Sequence, residues 1–400
     1  MPPIVDEVRT PVLFASMLLA VGVGWIGCAT VNFRPPFPLT GDPIRDGWTG
    51  ITNGPVEDRV LWQYRTALEL CRRADFPTAS TLFDEALRVV EGRYGADASA
   101  RRSRSYFVGE AHKRFIGEPY ERAMAYYYRG MLYWKEGELD NARACFRSAQ
   151  VEDSDVEDGA YAGDYVLMDY LDGLASFRLN GQGIDAYRRA TNSATLVIPD
   201  RYESVGNVLF FVEYGKGPEK YATGSYREQL RFRDCGSEAV EVILRSRGQV
   251  AHIGAMDDLA YQATTRGGRL MDHILANKAV FKAAADTVGD ASLVTGLILA
   301  QDRKTQEAGV GIAAFGMVSK LFSAATTPSA DTRSWDNLPK YLAFGSLSLP
   351  PGRHSVEVAY LNDHREAIAS LAQQVTVDVA EGNQDTVMFI SQFNQKEGDL

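Results

Sequence analysis

The chain reads as an α+β multidomain protein: an N-terminal α-helical repeat domain over residues 57–200, followed by a β-sandwich-like or α+β domain over residues 201–394. Two observations predict this. Up to about residue 200, apolar residues recur at helical spacing, in paired patterns split by short polar breaks. After Pro199 the period shortens to that of strands bounded by Gly and Pro. The 400 residues suffice for two or three domains, and 45% hydrophobic with 24% charged residues is an ordinary globular balance.

The helical pattern is clearest over residues 121–155. Tyr126, Gly130 and Tyr133 share one face of a first helix, and Leu139, Ala142, Phe146 and Ala149 share one face of a second. Gly137 falls where the chain must turn. Small Gly130 and Ala142 let the two helices approach closely, with Phe146 beside them. Phe76, Ala79, Phe83 and Ala86 repeat the second pattern, with Ala67 and Leu70 in the places of Gly130 and Tyr133. A looser copy carries Gly173, Phe177, Gly181, Ala186 and Ala190. This spacing resembles the tetratricopeptide (TPR) repeat, departing from it at Arg129, where Leu is usual. Such an array implies a concave groove lined by the first helix of each hairpin. Tyr127, Met131 and Trp134 would line it, with Tyr64 and Leu68 from the first repeat. Two readings of these side chains stand: anchors for a protein partner, or packing against a neighbouring element.

Ahead of the repeats, residues 11–27 are apolar and uncharged, short for a membrane span and suited to a signal peptide. Trp25-Ile26-Gly27-Cys28 resembles a bacterial lipobox, with Trp25 where Leu is usual and acidic Asp6 and Glu7 in a leader that is ordinarily basic. The resemblance implies removal of residues 1–27, lipid attachment at Cys28, and an outer-membrane lipoprotein facing the periplasm. Five prolines between residues 30 and 55 then read as a tether over residues 28–56.

In the second half, residues 207–213, 227–233, 239–245, 341–349, 354–361, 375–379 and 386–393 read as strands, and residues 395–400 as a tail. Residues 269–288 are helical by composition. Residues 308–325, apolar with Lys320 as their one charge, read as a buried or interface helix against the C-terminal sheet rather than a span.

No reaction is named. The net charge of −10 argues against nucleic acid. The basic run Arg101, Arg102, Arg104 reads as a solvated helix face. Cys28, Cys71, Cys145 and Cys235 form no CxxC pair; a Cys71–Cys145 disulfide stays open. The glycines near Lys216 and at 267–268 lack phosphate-loop spacing and read as turns. Asp257-Asp258 reads as an exposed acidic turn rather than a cation site. No cofactor is expected.

A wider resemblance covers most of the mature chain. Residues 117–121, 137–143, 331–339 and the Leu349-Pro350-Pro351-Gly352 turn resemble a family of bacterial envelope lipoproteins. Asp331, Arg333 and Trp335 are its most distinctive part, read as a salt-bridged structural clasp rather than a ligand contact. The expectation is therefore a lipid-anchored envelope scaffold that binds protein partners. The rival is an envelope hydrolase of wall or polysaccharide with its site between the two domains.

Overall fold

The computed structural model describes residues 35–92, 114–154, 163–224, 229–265 and 330–394. Cys28, the leader before it, the basic run at 101–104, the helix expected at 269–288 and the apolar run at 308–325 lie outside the described residues.

Helices come first. α1 (Pro43–Asn53) precedes three sequential hairpins: α2 (Arg59–Arg72) with α3 (Phe76–Glu91), α4 (Pro119–Lys135) with α5 (Leu139–Asp153), and α6 (Val166–Asn180) with α7 (Ile184–Ser193). Local chemistry sets their ends. Asp42 and Asp75 accept backbone N–H groups at the starts of α1 and α3, each with Pro in the first turn. Glu118 and Glu121 close a capping box at the start of α4. Gly137, at φ 82°, makes the α4–α5 turn. Within that hairpin a Cβ on Gly130 would come 2.7 Å from the Phe146 ring, so the close approach is physical. Ala142 and Phe146 are fully buried opposite.

The second half is a single seven-stranded sheet plus a two-stranded ribbon. The ribbon pairs β2 (Glu219–Thr223) with β3 (Gln229–Arg233). The main strands are β1 (Val208–Lys216), β4 (Glu241–Ser246), β5 (Gln249–Asp258), β6 (Pro339–Leu347), β7 (Gly352–Leu361), β8 (Gln373–Val379) and β9 (Thr386–Ser391). Their order is β8-β7-β4-β5-β6-β1-β9. All neighbours are antiparallel except β1 with β9. The sheet curls until its ends approach, and the Gln373 side-chain amide donates to the Ser391 carbonyl at 2.7 Å. It is thus nearly barrel-like rather than a sandwich of two sheets. A short α8 (Leu259–Thr265) follows β5.

Alternation along β1 shows how the halves are joined. Phe210, Val212 and Tyr214 point into the curled sheet with Val242, Val358 and Tyr360. Leu209 and Phe211 point the other way, into one cluster with Tyr64, Phe83, Tyr127, Trp134, Tyr170 and Trp335. The helices and the outer face of β1, β6 and β9 therefore share one core, where two separate domains were expected. Ala142 is fully buried in that core, on the hairpin where Gly130 and Phe146 meet closely. Ala142→Leu is expected to overpack the hairpin and cost about 1–3 kcal/mol, read as a lowered thermal midpoint.

Candidate functional site

The expected partner groove is filled by the chain itself. Tyr64, Leu68, Tyr127, Met131 and Trp134 are each at most 1% exposed, which corrects the picture of anchors waiting on an open surface. The Tyr127 ring meets Phe211 at 6.1 Å, and Trp134 meets Phe211 at 6.3 Å and Phe146 at 6.3 Å. Trp134 Nε1 also donates to Asp385 at 3.2 Å. Of the two readings of these aromatics, packing against a neighbouring element is the one realised, and the neighbour is the sheet.

The Asp331, Arg333, Trp335 stretch occupies the remainder of that groove. Trp335 stacks on Tyr64 at 4.6 Å and leans on Phe83 and Tyr128. Its backbone N–H donates to buried Glu121 at 2.7 Å. Arg333 pairs with Asp331 at 2.7 Å and with Asp58 at 2.8 Å, tying the stretch to the start of α2. Arg65 donates to the Ser334 carbonyl and Asn337 to the Arg65 carbonyl. Lys220 of the ribbon reaches both Glu121 and the Arg333 carbonyl. Two residue sets singled out separately in the sequence are thus one assembly: a strap lying in the groove. The space between helices and sheet, where the rival enzyme site was placed, holds packed aromatic rings among the described residues.

What stays open is the outer side of the hairpins. α5, α6 and α7 bound a cleft of about 710 Å³. Asp172, Ser176 and Asn180 form its floor, spaced at i, i+4 and i+8 on α6. Arg143 and Arg147, one turn apart on α5, make one wall; Asp185 and Arg189 of α7 make the other. Arg147 Nε donates to Asp172 at 2.9 Å and Arg189 Nε to Asp169 at 2.9 Å. Arg189 also lies 3.6 Å from Asp172. Burial pushes the Asp169 and Asp172 carboxyls above the usual range, and the arginines pull them back. More than half of the Arg147 and Arg189 side chains remains exposed, so outward guanidinium edges stay available. Ile184, 59% exposed, adds an apolar rim. Guanidiniums, a hydroxyl, amides and one aliphatic side chain suit an extended peptide segment. The sequence carried a signal for this site, the Arg143/Arg147 and Asp172/Ser176 spacings, but only the packing of three helices makes it a cleft.

Asp257-Asp258 is not an exposed turn. It ends β5, a strand the sequence pattern missed, although Arg247 and Gly248, at φ 48° and 80°, form a two-residue hairpin turn before it. Asp258 accepts the Ala260 N–H at the start of α8 and pairs with Lys340. Asp257 is buried and accepts the Val166 and Leu167 N–H groups at the start of α6, at 2.9 and 2.8 Å. Among the described residues no His/Cys/Asp/Glu cluster could hold a metal ion. Cys71 and Cys145 are free thiols, not a disulfide, and burial pushes the Cys145 thiol up to about 12.

Two expected outcomes follow from these placements. Trp134→Ala should cost about 3–5 kcal/mol of stability, because it empties a packed site and strips Asp385 of a donor; a melt reads it directly. Asp257 gives a pH signature. Burial raises its carboxyl to about 7, against the pull of the two amides and with Asp153 and Asp164 pushing further. A raised folded value favours the protonated fold. The contribution is fully present below about pH 4, the unfolded value, and is lost as pH rises through about 7, with an upper bound of about 4 kcal/mol. In urea melts the stability of the native chain relative to Asp257→Asn should fall across that window; a pH-independent difference would exclude the linkage.

With the geometry described, comparison with known proteins adds no identification: no family model, curated protein or solved structure significantly matches this chain.

Proposed function

We propose that the chain is a lipid-anchored scaffold of the bacterial cell envelope, held through Cys28 in the outer membrane, facing the periplasm, and binding protein partners through TPR-like hairpins. Support for the anchor is the apolar run of residues 11–27 ending at Gly27-Cys28. Support for the repeat reading is the recurrence of Gly130, Ala142 and Phe146 at contact positions of a helical hairpin. The observation that carries the binding role is the outward cleft of α5, α6 and α7. The guanidiniums of Arg147 and Arg189 are positioned by buried aspartates and do not have to be ordered on binding.

The partner is an envelope protein that presents an extended segment to this cleft. A photo-crosslinking residue at Gln182, on the rim, is expected to capture it in cells. Arg143→Glu should weaken capture by roughly tenfold or more, since Arg143 is ion-paired with exposed Asp140 while buried Asp172 keeps its bond from Arg147. Unchanged capture would remove the cleft from the function. Mass spectrometry of the purified protein tests the anchor: the mature chain should begin at an acylated Cys28, and an intact Met1 would end that reading.

One observation favours a second reading, an envelope hydrolase. The cleft is lined by Asp172, whose carboxyl burial raises, as a general acid requires, with exposed Asp185 on the facing wall. Hydrolysis of purified cell-wall polymer by the native chain and its loss in Asp172→Asn would select it; a chain inert on wall polymer leaves the scaffold.

A further inference from the structure

The first helix carries a surface that the scaffold reading does not use. α1 packs on α2 through Gly47 and Gly50, where a Cβ would collide with Thr66 and with the Trp62 ring. That contact fixes which side of α1 faces outward. The outward side shows Trp48, 39% exposed, together with Thr52 and half-buried Ile51. Leu39 and Val56, more than half exposed, flank it along the chain. Trp48 and Ile51 border a shallow groove of about 660 Å³ whose far wall is Pro77, Thr78, Thr81 and Leu82 of α3.

This surface is rigidly held. The Asp46 carboxylate accepts the Thr40 N–H at 2.7 Å, the Thr40 hydroxyl at 2.6 Å and the Gly41 N–H at 3.0 Å. Phe37 lies against Trp62 at 5.3 Å. The chain is therefore fixed to the body from Phe37 onward. It also shows little free negative charge for a chain of net −10. Asp42 caps α1 and pairs with Arg73, Asp46 is consumed at Thr40 and Gly41, and Asp58 pairs with Arg333. Arg45 and Arg59 are exposed, against half-buried Glu57 and exposed Glu85.

We infer that the outward face of α1, with Trp48 at its centre, rests in the interface of a lipid bilayer. The inference rests on the proposed anchor at Cys28. Reach supplies the argument. Six residues lie between Cys28 and Pro35, so seven Cα–Cα steps span at most about 25 Å. A folded body of about 300 residues has a radius of gyration near 20 Å and is roughly 50 Å across. The tether is shorter than the body, so the side from which Pro35 leaves must be turned toward the membrane. α1 lies beside that exit, because Phe37 and, from α1, Gly50 pack against the same Trp62 ring. Indole, aliphatic, hydroxyl and guanidinium groups together are the mixture that partitions at headgroup depth, where Trp is enriched.

The test uses the full chain reconstituted into phosphatidylcholine vesicles that contain phosphatidylcholine spin-labelled at a shallow or a deep acyl position. The emission difference between the native chain and Trp48→Phe is the signal of Trp48. It should be blue-shifted and reduced by about half by the shallow label, and less by the deep one. Flotation with the vesicles is read in parallel. A chain that floats while the Trp48 signal is quenched by aqueous acrylamide and not by the lipid label overturns this inference and leaves the anchor standing. A chain that does not float overturns both. Protection of Trp48 from both quenchers that disappears on dilution would show a second copy on this face, and also overturns it. Should Trp48→Phe not fold, an environment-sensitive dye on Thr52→Cys gives the same reading.

Discussion

The structure hangs on one buried carboxylate. Glu213, on β1, is 1% exposed, and it accepts from Arg72 of α2 at 2.7 Å, from the Ser391 hydroxyl of β9 at 2.6 Å and from the Tyr128 hydroxyl of α4. Arg72 in turn donates to the Asn337 carbonyl of the strap and to Glu69. Two hairpins, two strands and the strap thus converge on one side chain. Burying such a pair costs several kcal/mol per ion, so it adds little net stability, while losing one partner costs about 3–5 kcal/mol. A bond set of this kind selects one arrangement of the halves over others in which the same apolar faces pack with a carboxylate unpaired.

That selection explains the fate of the groove. Concave helical arrays expose aromatic side chains that must be covered, and here the covering is intramolecular. β1 supplies Phe211, and the strap supplies Trp335. Glu121 closes the capping box of α4, accepts the Trp335 N–H and pairs with Lys220 of the ribbon, so the element that starts the central hairpin also receives the strap. With the inner face occupied, the surfaces left open are outward: the arginine-walled cleft at the α6–α7 turn and the tryptophan-bearing side of α1. The proposed binding and membrane contact use these two, which are built on different helices.

Charge is used differently in the two places. At the cleft, Asp172 and, beneath its lining, Asp169 sit on a nearly buried helix and hold arginines from both neighbouring helices, so the positive groups are pre-positioned but locally balanced. On the proposed binding role, specificity there would come from the geometry of N–H donors more than from net charge. Along α1 the buried Asp46 is bonded to Thr40 and Gly41 and the exposed Asp42 caps the helix and pairs with Arg73, which leaves an outward side of nearly neutral character.

The sequence by itself determined the helical hairpins, because their ends are written locally: Asp75 ahead of Pro77, Glu118 three residues before Glu121, and Gly137 at the α4–α5 turn. It determined seven of the nine described strands for the same reason, since alternation and turn residues act over a few positions. It missed β5, whose outer residues Val250 and His252 are exposed and whose end bears two aspartates, a pattern that reads as a polar loop. Only the tertiary structure decided which surface was free. Tyr127 and Trp134 have the same helical spacing whether they meet a partner or Phe211, and Asp257 has the same neighbours in sequence whether it is solvated or caps a helix some 90 residues away. Periodicity reports that a face is apolar or that a carboxylate is present. What covers that face, and what charge state the carboxylate prefers, depends on contacts between residues far apart in the chain, and those are fixed only when the whole core closes.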